Sequence, residues 1–156
     1  MFGGAAVHIY TNARGSSDID VEHIAAEQLD FADIVITYTD SDGQEKSITV
    51  DPTFNSTFGL LHEDYEDDAI PLKATEGTPL EVYLVSALDI AVSKLARMAE
   101  IDQTDIIDLA KAGRFSIDEF TVRATEAISY AVANQQTLLS HLSFMENKLR
   151  EELESE

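Results

Sequence analysis

The chain has 156 residues, no cysteine and a formal net charge of −20, which comes from 30 acidic and 10 basic residues. This length suits one domain with a substantial core, and the missing cysteines exclude disulfides, thiolate metal sites and a cysteine nucleophile. General nucleic-acid binding depends on lysine and arginine that neutralise phosphates, so it is not expected of so acidic a chain.

The acidity leaves several functional classes open. A basic partner protein, or a small triphosphate held through a metal, is compatible with it, and so is acidity that serves only solubility or a salt-adapted host. No segment is long and apolar enough to cross a membrane, and the N-terminus lacks the basic start of a signal peptide. A cytoplasmic protein without membrane contact is therefore expected.

The stretch from Phe2 to Val21 carries the pattern on which the functional prediction depends. It begins with the pair Gly3–Gly4 and ends in Asp18-Ile19-Asp20-Val21. Because side chains two apart in a strand point to the same face, Asp18 and Asp20 are predicted to project together. A divalent cation relieves the repulsion between such carboxylates, and Mg²⁺ typically takes one or two of them plus substrate phosphates.

An apolar residue, two glycines, a gap and Asp-apolar-Asp-apolar together resemble the signature of the nucleotidyltransferase superfamily with the DNA polymerase β fold. The resemblance implies that Gly3 and Gly4 let the backbone approach a nucleoside triphosphate and that Asp18 and Asp20 bind Mg²⁺. Either pattern by itself also occurs at solvated strand ends or in flexible loops. Ser17 is a candidate phosphate ligand, although such a serine more often satisfies backbone groups of a turn.

A third carboxylate is expected on a neighbouring strand. The β-branched runs at 34–38 and 47–50 flank Asp40-Ser41-Asp42-Gly43, and Asp-Gly between strand runs predicts a hairpin. Asp51 directly follows the second run. The resemblance makes Asp51 the candidate catalytic base, whereas its local alternative is a turn residue before Pro52.

Helical patterns lie on both sides of this hairpin. Residues 3–12 favour a helix, and residues 22–30 are helix-prone. Residues 52–79 look irregular, and their acidic run at 62–68 is expected to be a solvated loop rather than a metal site. After a strand at 80–85, four helices are predicted, with N-caps at Ser86, Asp102 and Ser116 and the last helix over 135–153. The first helix is predicted to turn four side chains toward the core, namely Ala5, Ala6, Ile9 and Tyr10.

These elements predict an α+β fold, in which a small mixed β-sheet of the nucleotidyltransferase type at 1–85 is followed by a C-terminal helical bundle at 86–156 packed on it. The superfamily usually has an apolar strand before the glycine pair, but here only Met1 and Phe2 precede Gly3. A sheet that lacks its first strand is therefore predicted, with the glycine turn at an untethered terminus that a partner or a second copy would complete. Such a turn would not preorganise phosphate-binding donors.

The segment LDIAVSKLARMAEIDQTDIIDL, residues 88–109, carries a second resemblance. It is similar to uncharacterised bacterial and archaeal nucleotidyltransferase-like proteins and to the nucleotidyltransferase toxins of type IV (abortive-infection) toxin–antitoxin systems. The resemblance implies that Lys94 balances triphosphate charge and that Asp102 and Asp105 orient Lys94 or bind nucleotide through water. Alternatively, these groups and Arg97 form surface ion pairs between helices, worth only ~0–1 kcal/mol each.

The predicted function is Mg²⁺-dependent transfer of a nucleotidyl group from a nucleoside triphosphate to a hydroxyl acceptor, in a toxin–antitoxin or phage-defence module. One alternative is a degenerate member of the same fold that binds a basic partner, such as a cognate toxin or antitoxin, through its acidic surface. A structural domain without a ligand is a third. The leucine stripe of the last helix is predicted to be core, with a homo-oligomer interface as its alternative.

Overall fold

The computed structural model of the protein describes residues 1–22, 35–39, 42–51, 59–73 and 81–154. These residues form two small β-sheets and five helices, which confirms the predicted α+β class. The strands are β1 Asp18–Asp20, β2 Val35–Thr39, β3 Glu45–Asp51, β4 Ile70–Pro71 and β5 Tyr83–Leu84. The helices are α1 Gly3–Thr11, α2 Ala87–Lys94, α3 Glu100–Lys111, α4 Ile117–Ser129 and α5 Gln135–Glu154. Apart from residue 22, the predicted helical segment at 22–30 lies outside the described residues.

The larger sheet is mixed and has the strand order β1-β3-β2. Strand β3 pairs antiparallel with β2, as the hairpin prediction requires, and parallel with β1. In the parallel register Asp18 lies opposite Thr49 and Asp20 lies opposite Asp51. Since residues directly across a ladder share a face and side chains alternate along each strand, Asp18, Asp20 and Asp51 project from the same side.

The core lies among the helices, where apolar residues recur at helical spacing. Helix α1 packs against α2 and α3 through Ala6 and Val7, which are fully buried. The prediction for Ile9 is wrong, because its side chain is 45% exposed. The largest buried apolar side chains of the other helices are Ile90, Leu95, Ile106, Leu109, Phe120, Ile128, Met145 and Leu149. No helix among the described residues combines the length and the apolar character needed to span a membrane.

The helix starts follow capping chemistry, with one correction. Ser86 accepts the backbone N–H of Asp89 at the start of α2, and Ser116 forms a capping box with Glu119 at the start of α4. Both N-cap predictions are confirmed. Asp102 is not an N-cap, because α3 begins at Glu100 and has Ala99 as its N-cap. Its carboxylate instead accepts the Ala99 N–H at 3.0 Å from the third helical position.

Met1 and Phe2 are hydrogen-bonded on both sides. The Phe2 N–H donates to the Asp20 carbonyl at 2.9 Å, and the Val85 N–H donates to the Met1 carbonyl at 3.2 Å. The Phe2 side chain is buried, and its ring centroid lies 6.1 Å from that of Tyr65. The predicted untethered terminus is therefore wrong: this extended segment ties the first turn of α1 to β1 and to the end of β5.

Candidate functional site

The glycine pair brings the first turn of α1 into contact with the acidic strand. Gly3 has a φ of +66°, and a Cβ at this position would lie 1.8 Å from Oδ2 of Asp20. A Cβ at Gly4 would lie 2.8 Å from Nη2 of Arg14 and 3.1 Å from Oγ of Ser16. Because glycine has no Cβ, the backbone can approach a carboxylate on one side and a guanidinium on the other.

The three carboxylates Asp18, Asp20 and Asp51 share one side of the sheet, as the strand register requires. Asp18 is exposed and accepts a hydrogen bond of 2.8 Å from the Ser16 hydroxyl, whereas Asp20 is half-buried. Burial raises the pKa of Asp20, and the negative charges of Asp18 and Asp51 raise it further. The strands therefore concentrate negative charge at one place.

Ser17 directly precedes Asp18 in the sequence, but the hydroxyl that contacts the Asp18 carboxylate belongs to Ser16. The Ser17 carbonyl accepts the Thr49 N–H at 3.0 Å, and the residue is exposed. The Ser16 hydroxyl, by contrast, lies between Gly4 and Asp18. A phosphate at the glycine turn would thus meet the hydroxyl of Ser16, which was not among the predicted phosphate ligands.

The donor set suits Mg²⁺ with a bound phosphate better than a metal held by protein alone. Within the described ranges, no three His, Cys, Asp or Glu side chains gather closely enough to hold a metal ion. Mg²⁺, however, commonly takes one or two carboxylates and completes its shell with phosphate oxygens and water. Asp18 and Asp20 supply such a pair, and a cation would relieve the repulsion that raises the Asp20 pKa.

Lys94 is a buried cation rather than a member of a surface pair. Its side chain is 8% exposed, and Nζ lies 2.6 Å from Oδ2 of Asp105 and 3.5 Å from Oδ1 of Asp102. Both carboxylates are themselves buried. These three residues therefore form the ion pairs between neighbouring helices that the alternative predicted, but the pairs are buried and not on the surface. Buried charges need partners because removing them from water is costly.

Two arginines complete the cluster around the buried carboxylates. Nε and Nη2 of Arg14 donate to Asp105 at 2.7 and 2.8 Å. Nε and Nη2 of Arg97 donate to Asp102, both at 2.7 Å, and the Arg97 side chain is 70% exposed. Arg14 was not among the residues predicted from the sequence. The available signal was a basic residue placed between the glycine pair and the Asp pair of a very acidic chain.

The cluster and the carboxylate side interact electrostatically. Burial would raise the pKa of Asp102 and Asp105, but the hydrogen bonds and charges of the neighbouring cations bring both below the usual value. The positive charges of Lys94 and Arg97 act on Asp20, where they partly oppose the rise of its pKa. The charges of Lys94 and Arg97 thus act within electrostatic reach of Asp20, next to a region of excess negative charge.

The acidic run at 62–68 lies outside this cluster. Its carboxylate residues are exposed, as expected of a solvated loop. Its histidine, His62, is 7% exposed, and its Nε2 lies 3.2 Å from Oε2 of Glu126 on α4. Arg123 of α4 contacts Asp68 at 2.6 Å and Asp89 of α2 at 2.8 Å. These contacts fasten the loop to the helices.

A cavity of about 440 Å³ is separate from the charged residues. It is mainly apolar and lies between the segment at 59–61, the end of α4 and the start of α5. None of the carboxylates or cations of the site lines it. The candidate site is therefore the charged region between α1, β1 and α2–α3, not this cavity.

Residues 1–150 match a family whose description reads "Nucleotidyltransferase of unknown function (DUF6036)". The match includes both the glycine and carboxylate segment and the cationic cluster on α2 and α3. No curated protein and no solved structure matches the chain.

Proposed function

Because the chain belongs to this family of nucleotidyltransferases, we propose that it binds a nucleoside triphosphate with Mg²⁺ and transfers the nucleotidyl group to a hydroxyl acceptor. One observation supports this most directly: an acidic strand face lies within electrostatic reach of a cation cluster held by buried carboxylates. A metal–triphosphate complex likewise carries both signs of charge. The site and the ligand are complementary in charge, although the whole chain is strongly acidic.

The acidic side provides the groups for the metal and for the acceptor. Asp18 and Asp20 would hold Mg²⁺, which when bound supplies Lewis-acid stabilisation of charge on the phosphates. Asp51, opposite Asp20 on β3, would accept the proton of the acceptor hydroxyl. A carboxylate placed beside the reacting group can act as such a general base.

The cationic side provides the groups for the phosphates. The phosphate chain would lie at the first turn of α1, which begins at Gly3 and Gly4 and whose backbone N–H groups attract anions. Lys94 would neutralise phosphate charge as a compact ammonium, and Asp102 and Asp105 would hold it in place. Ser16 and Ser17 are the hydroxyl groups nearest in sequence to the carboxylate pair.

The proposed reaction is a displacement at phosphorus. The acceptor oxygen forms a bond to the α-phosphorus, the bond from that phosphorus to the bridging oxygen of the β-phosphate breaks, and pyrophosphate leaves. The hydroxyl proton passes to Asp51, and the charge that develops on pyrophosphate is balanced by Lys94. Preorganised charges of this kind stabilise the transition state without further rearrangement.

The biological setting we propose is a toxin–antitoxin or phage-defence module, on the resemblance of the α2–α3 segment to type IV toxins. The second candidate function is a degenerate member of the fold that binds a basic partner. The net charge of −20 favours it, because such a surface steers association with positive proteins. A salt-sensitive complex with the product of a neighbouring gene, unaffected by Asp20→Ala, would support this second function.

Calorimetric titration of Mg²⁺–ATP and Mg²⁺–GTP into the wild type and Asp18→Ala tests the first function. We expect binding by the wild type and a large loss in the variant. Asp67→Ala is the matched control, since it removes the same charge from an exposed position in the acidic run. Equal, negligible binding by the wild type and Asp18→Ala would contradict the proposal.

A further inference from the structure

Arg14 lies where the terminal phosphates of a bound triphosphate would be expected. Its guanidinium and the Ser16 hydroxyl lie on the side of Gly4 where a Cβ would project, whereas the Asp20 carboxylate lies where a Cβ of Gly3 would project. Successive residues of a helix point in directions about 100° apart, so the two glycines face different parts of the site. If the α-phosphate reacts beside the carboxylates, the β- and γ-phosphates extend toward Gly4.

We propose that Arg14 is a phosphate-binding residue that selects triphosphates over monophosphates, with Asp105 as the residue that positions it. This inference rests on the proposed function and extends it to a residue that neither the motif nor the family description identifies. Arg14 would contact the β- or γ-phosphate, alongside Lys94. Guanidinium groups suit this task because their N–H fork matches phosphate oxygens.

The hydrogen bonds of Arg14 leave donors for such a ligand. A guanidinium has five N–H donors. Nε and Nη2 donate to Asp105, and Nη1 donates weakly to the Gly15 carbonyl at 3.3 Å. In the part of the chain that the structure describes, the remaining two N–H groups have no protein acceptor. The side chain is 30% exposed, so a ligand can reach these donors from solvent.

The anchor of Arg14 is unusually well fixed. Asp105 is fully buried and also accepts the ammonium of Lys94 at 2.6 Å. Apolar residues of similar volume often stabilise a fold as well as a buried ion cluster does, so the presence of this cluster is weak evidence for a role in stability. Fixing Arg14 and Lys94 through one carboxylate gives both cations a defined position before the phosphates bind.

The test compares ligands that differ only in the number of phosphates. Dissociation constants for ATP, ADP and AMP, each with Mg²⁺, are measured by calorimetry on full-length wild type, Arg14→Gln and Arg14→Lys. We expect Arg14→Gln to weaken ATP binding about 10–100-fold and AMP binding little, so that the ATP preference falls. Arg14→Lys, which keeps the charge but not the fork, should lie between the two.

Arg114→Gln is the control for a structural effect. Arg114 donates twice to the Tyr10 carbonyl at the other end of α1, at 3.1 and 2.7 Å, and is not part of the cluster. Its loss should lower stability while the ratio of ATP to AMP affinity stays that of the wild type.

Two results would overturn the inference in distinguishable ways. If folded Arg14→Gln and Arg14→Lys weaken ATP and AMP equally, or weaken neither, Arg14 is structural and the proposed function stands without it. If Arg14→Gln fails to fold, the ratio of ATP to AMP affinity of Arg14→Lys decides: an unchanged ratio contradicts the inference, and a lowered one supports it. If the wild type binds none of the three nucleotides, the proposed function itself fails, and the inference with it.

Discussion

Lys94 on α2 and Asp105 on α3 form a buried ion pair, with 2.6 Å between Nζ and Oδ2. The same carboxylate accepts two hydrogen bonds from Arg14, which lies 91 positions earlier in the chain. The Asp105 side chain therefore joins the loop before β1 to helices α2 and α3. Its loss would leave two cations without their closest counter-charge.

Asp105→Asn should therefore lower the free energy of unfolding strongly. Removing one partner of a buried ion pair typically costs about 3–5 kcal/mol, because the remaining charge is left uncompensated. Urea unfolding followed by circular dichroism measures the change. The asparagine keeps the size of the side chain, so the measured difference reports the charge and its hydrogen bonds rather than a cavity.

Glu152→Gln is the control for that measurement. Glu152 pairs with Lys111 at 3.0 Å, but both side chains are substantially exposed, at 42% and 30%. Exposed pairs contribute about 0–1 kcal/mol. If Asp105→Asn lowered the free energy of unfolding no more than Glu152→Gln does, the Asp105 cluster would contribute as little stability as an exposed ion pair.

The same cluster predicts how stability depends on acidity. The pKa of Asp102 and of Asp105 is lowered in the folded protein, mainly by the neighbouring cations acting against burial. The pKa of an aspartate in an unfolded chain is about 3.9, so at pH values between the folded and the unfolded pKa the unfolded chain binds more protons. The stability that these two aspartates contribute is therefore fully present above the unfolded pKa, and it is lost as the pH falls through the folded pKa.

In urea unfolding at a series of acidic pH values, the free energy of unfolding should fall more steeply with decreasing pH for the wild type than for Asp105→Asn. The variant lacks one of the two shifted groups, and subtracting the two curves removes the common effect of the other carboxylates. Parallel curves for the two proteins would contradict the prediction.

Local sequence chemistry was sufficient to predict the elements that carry the site. The Ser116–Glu119 capping box, the N-cap at Ser86 and the alternation of Asp18 and Asp20 depend on contacts within a few residues, and all three are seen in the structure. The Asp102 prediction failed because an aspartate at the third helical position can also satisfy an N-terminal backbone N–H.

The charged cluster depended on long-range contacts that no local pattern specifies. Arg14 and Asp105 meet only because α1 packs on α3, and the anchor of the glycine turn comes from Val85 and Asp20. Periodicity also could not distinguish Ser16 from Ser17 as the hydroxyl facing Asp18. These features follow from tertiary packing, which overrides local preference.

Removing the metal should weaken nucleotide binding. The carboxylates Asp18, Asp20 and Asp51 and the buried pair Asp102 and Asp105 outnumber the cations Arg14, Lys94 and Arg97. A triphosphate without Mg²⁺ therefore approaches a site of net negative charge. We expect ATP affinity in EDTA to be at least about tenfold weaker, a difference of about 1.4 kcal/mol.

Asp20→Asn sharpens this prediction because it changes the two conditions in opposite directions. With Mg²⁺ present, the variant should bind ATP more weakly, since it lacks a metal ligand. In EDTA it should bind ATP at least as well as the wild type, since one repelling charge is gone. Calorimetry under both conditions measures this reversal of ATP affinity. A variant that binds ATP more weakly than the wild type in both would contradict the proposed role of Asp20.

The contact between Gly3 and Asp20 can be separated from backbone strain by comparing two glycines. Gly3 and Gly113 have nearly the same φ, +66° and +65°, so alanine meets a similar backbone penalty at both positions, about 1–2 kcal/mol. At Gly113 a Cβ would have no atom within 4 Å, whereas at Gly3 it would lie 1.8 Å from Oδ2 of Asp20. Gly3→Ala must therefore also displace the carboxylate.

Gly3→Ala should consequently lower stability more than Gly113→Ala in urea unfolding, and it alone should weaken Mg²⁺–ATP binding. The displaced carboxylate is the proposed metal ligand, and misplacing a positioned group impairs binding even when the chain still folds. If both variants lost the same stability and bound Mg²⁺–ATP like the wild type, the close approach of Gly3 to Asp20 would have no part in the site. The glycine pair would then serve only to start α1.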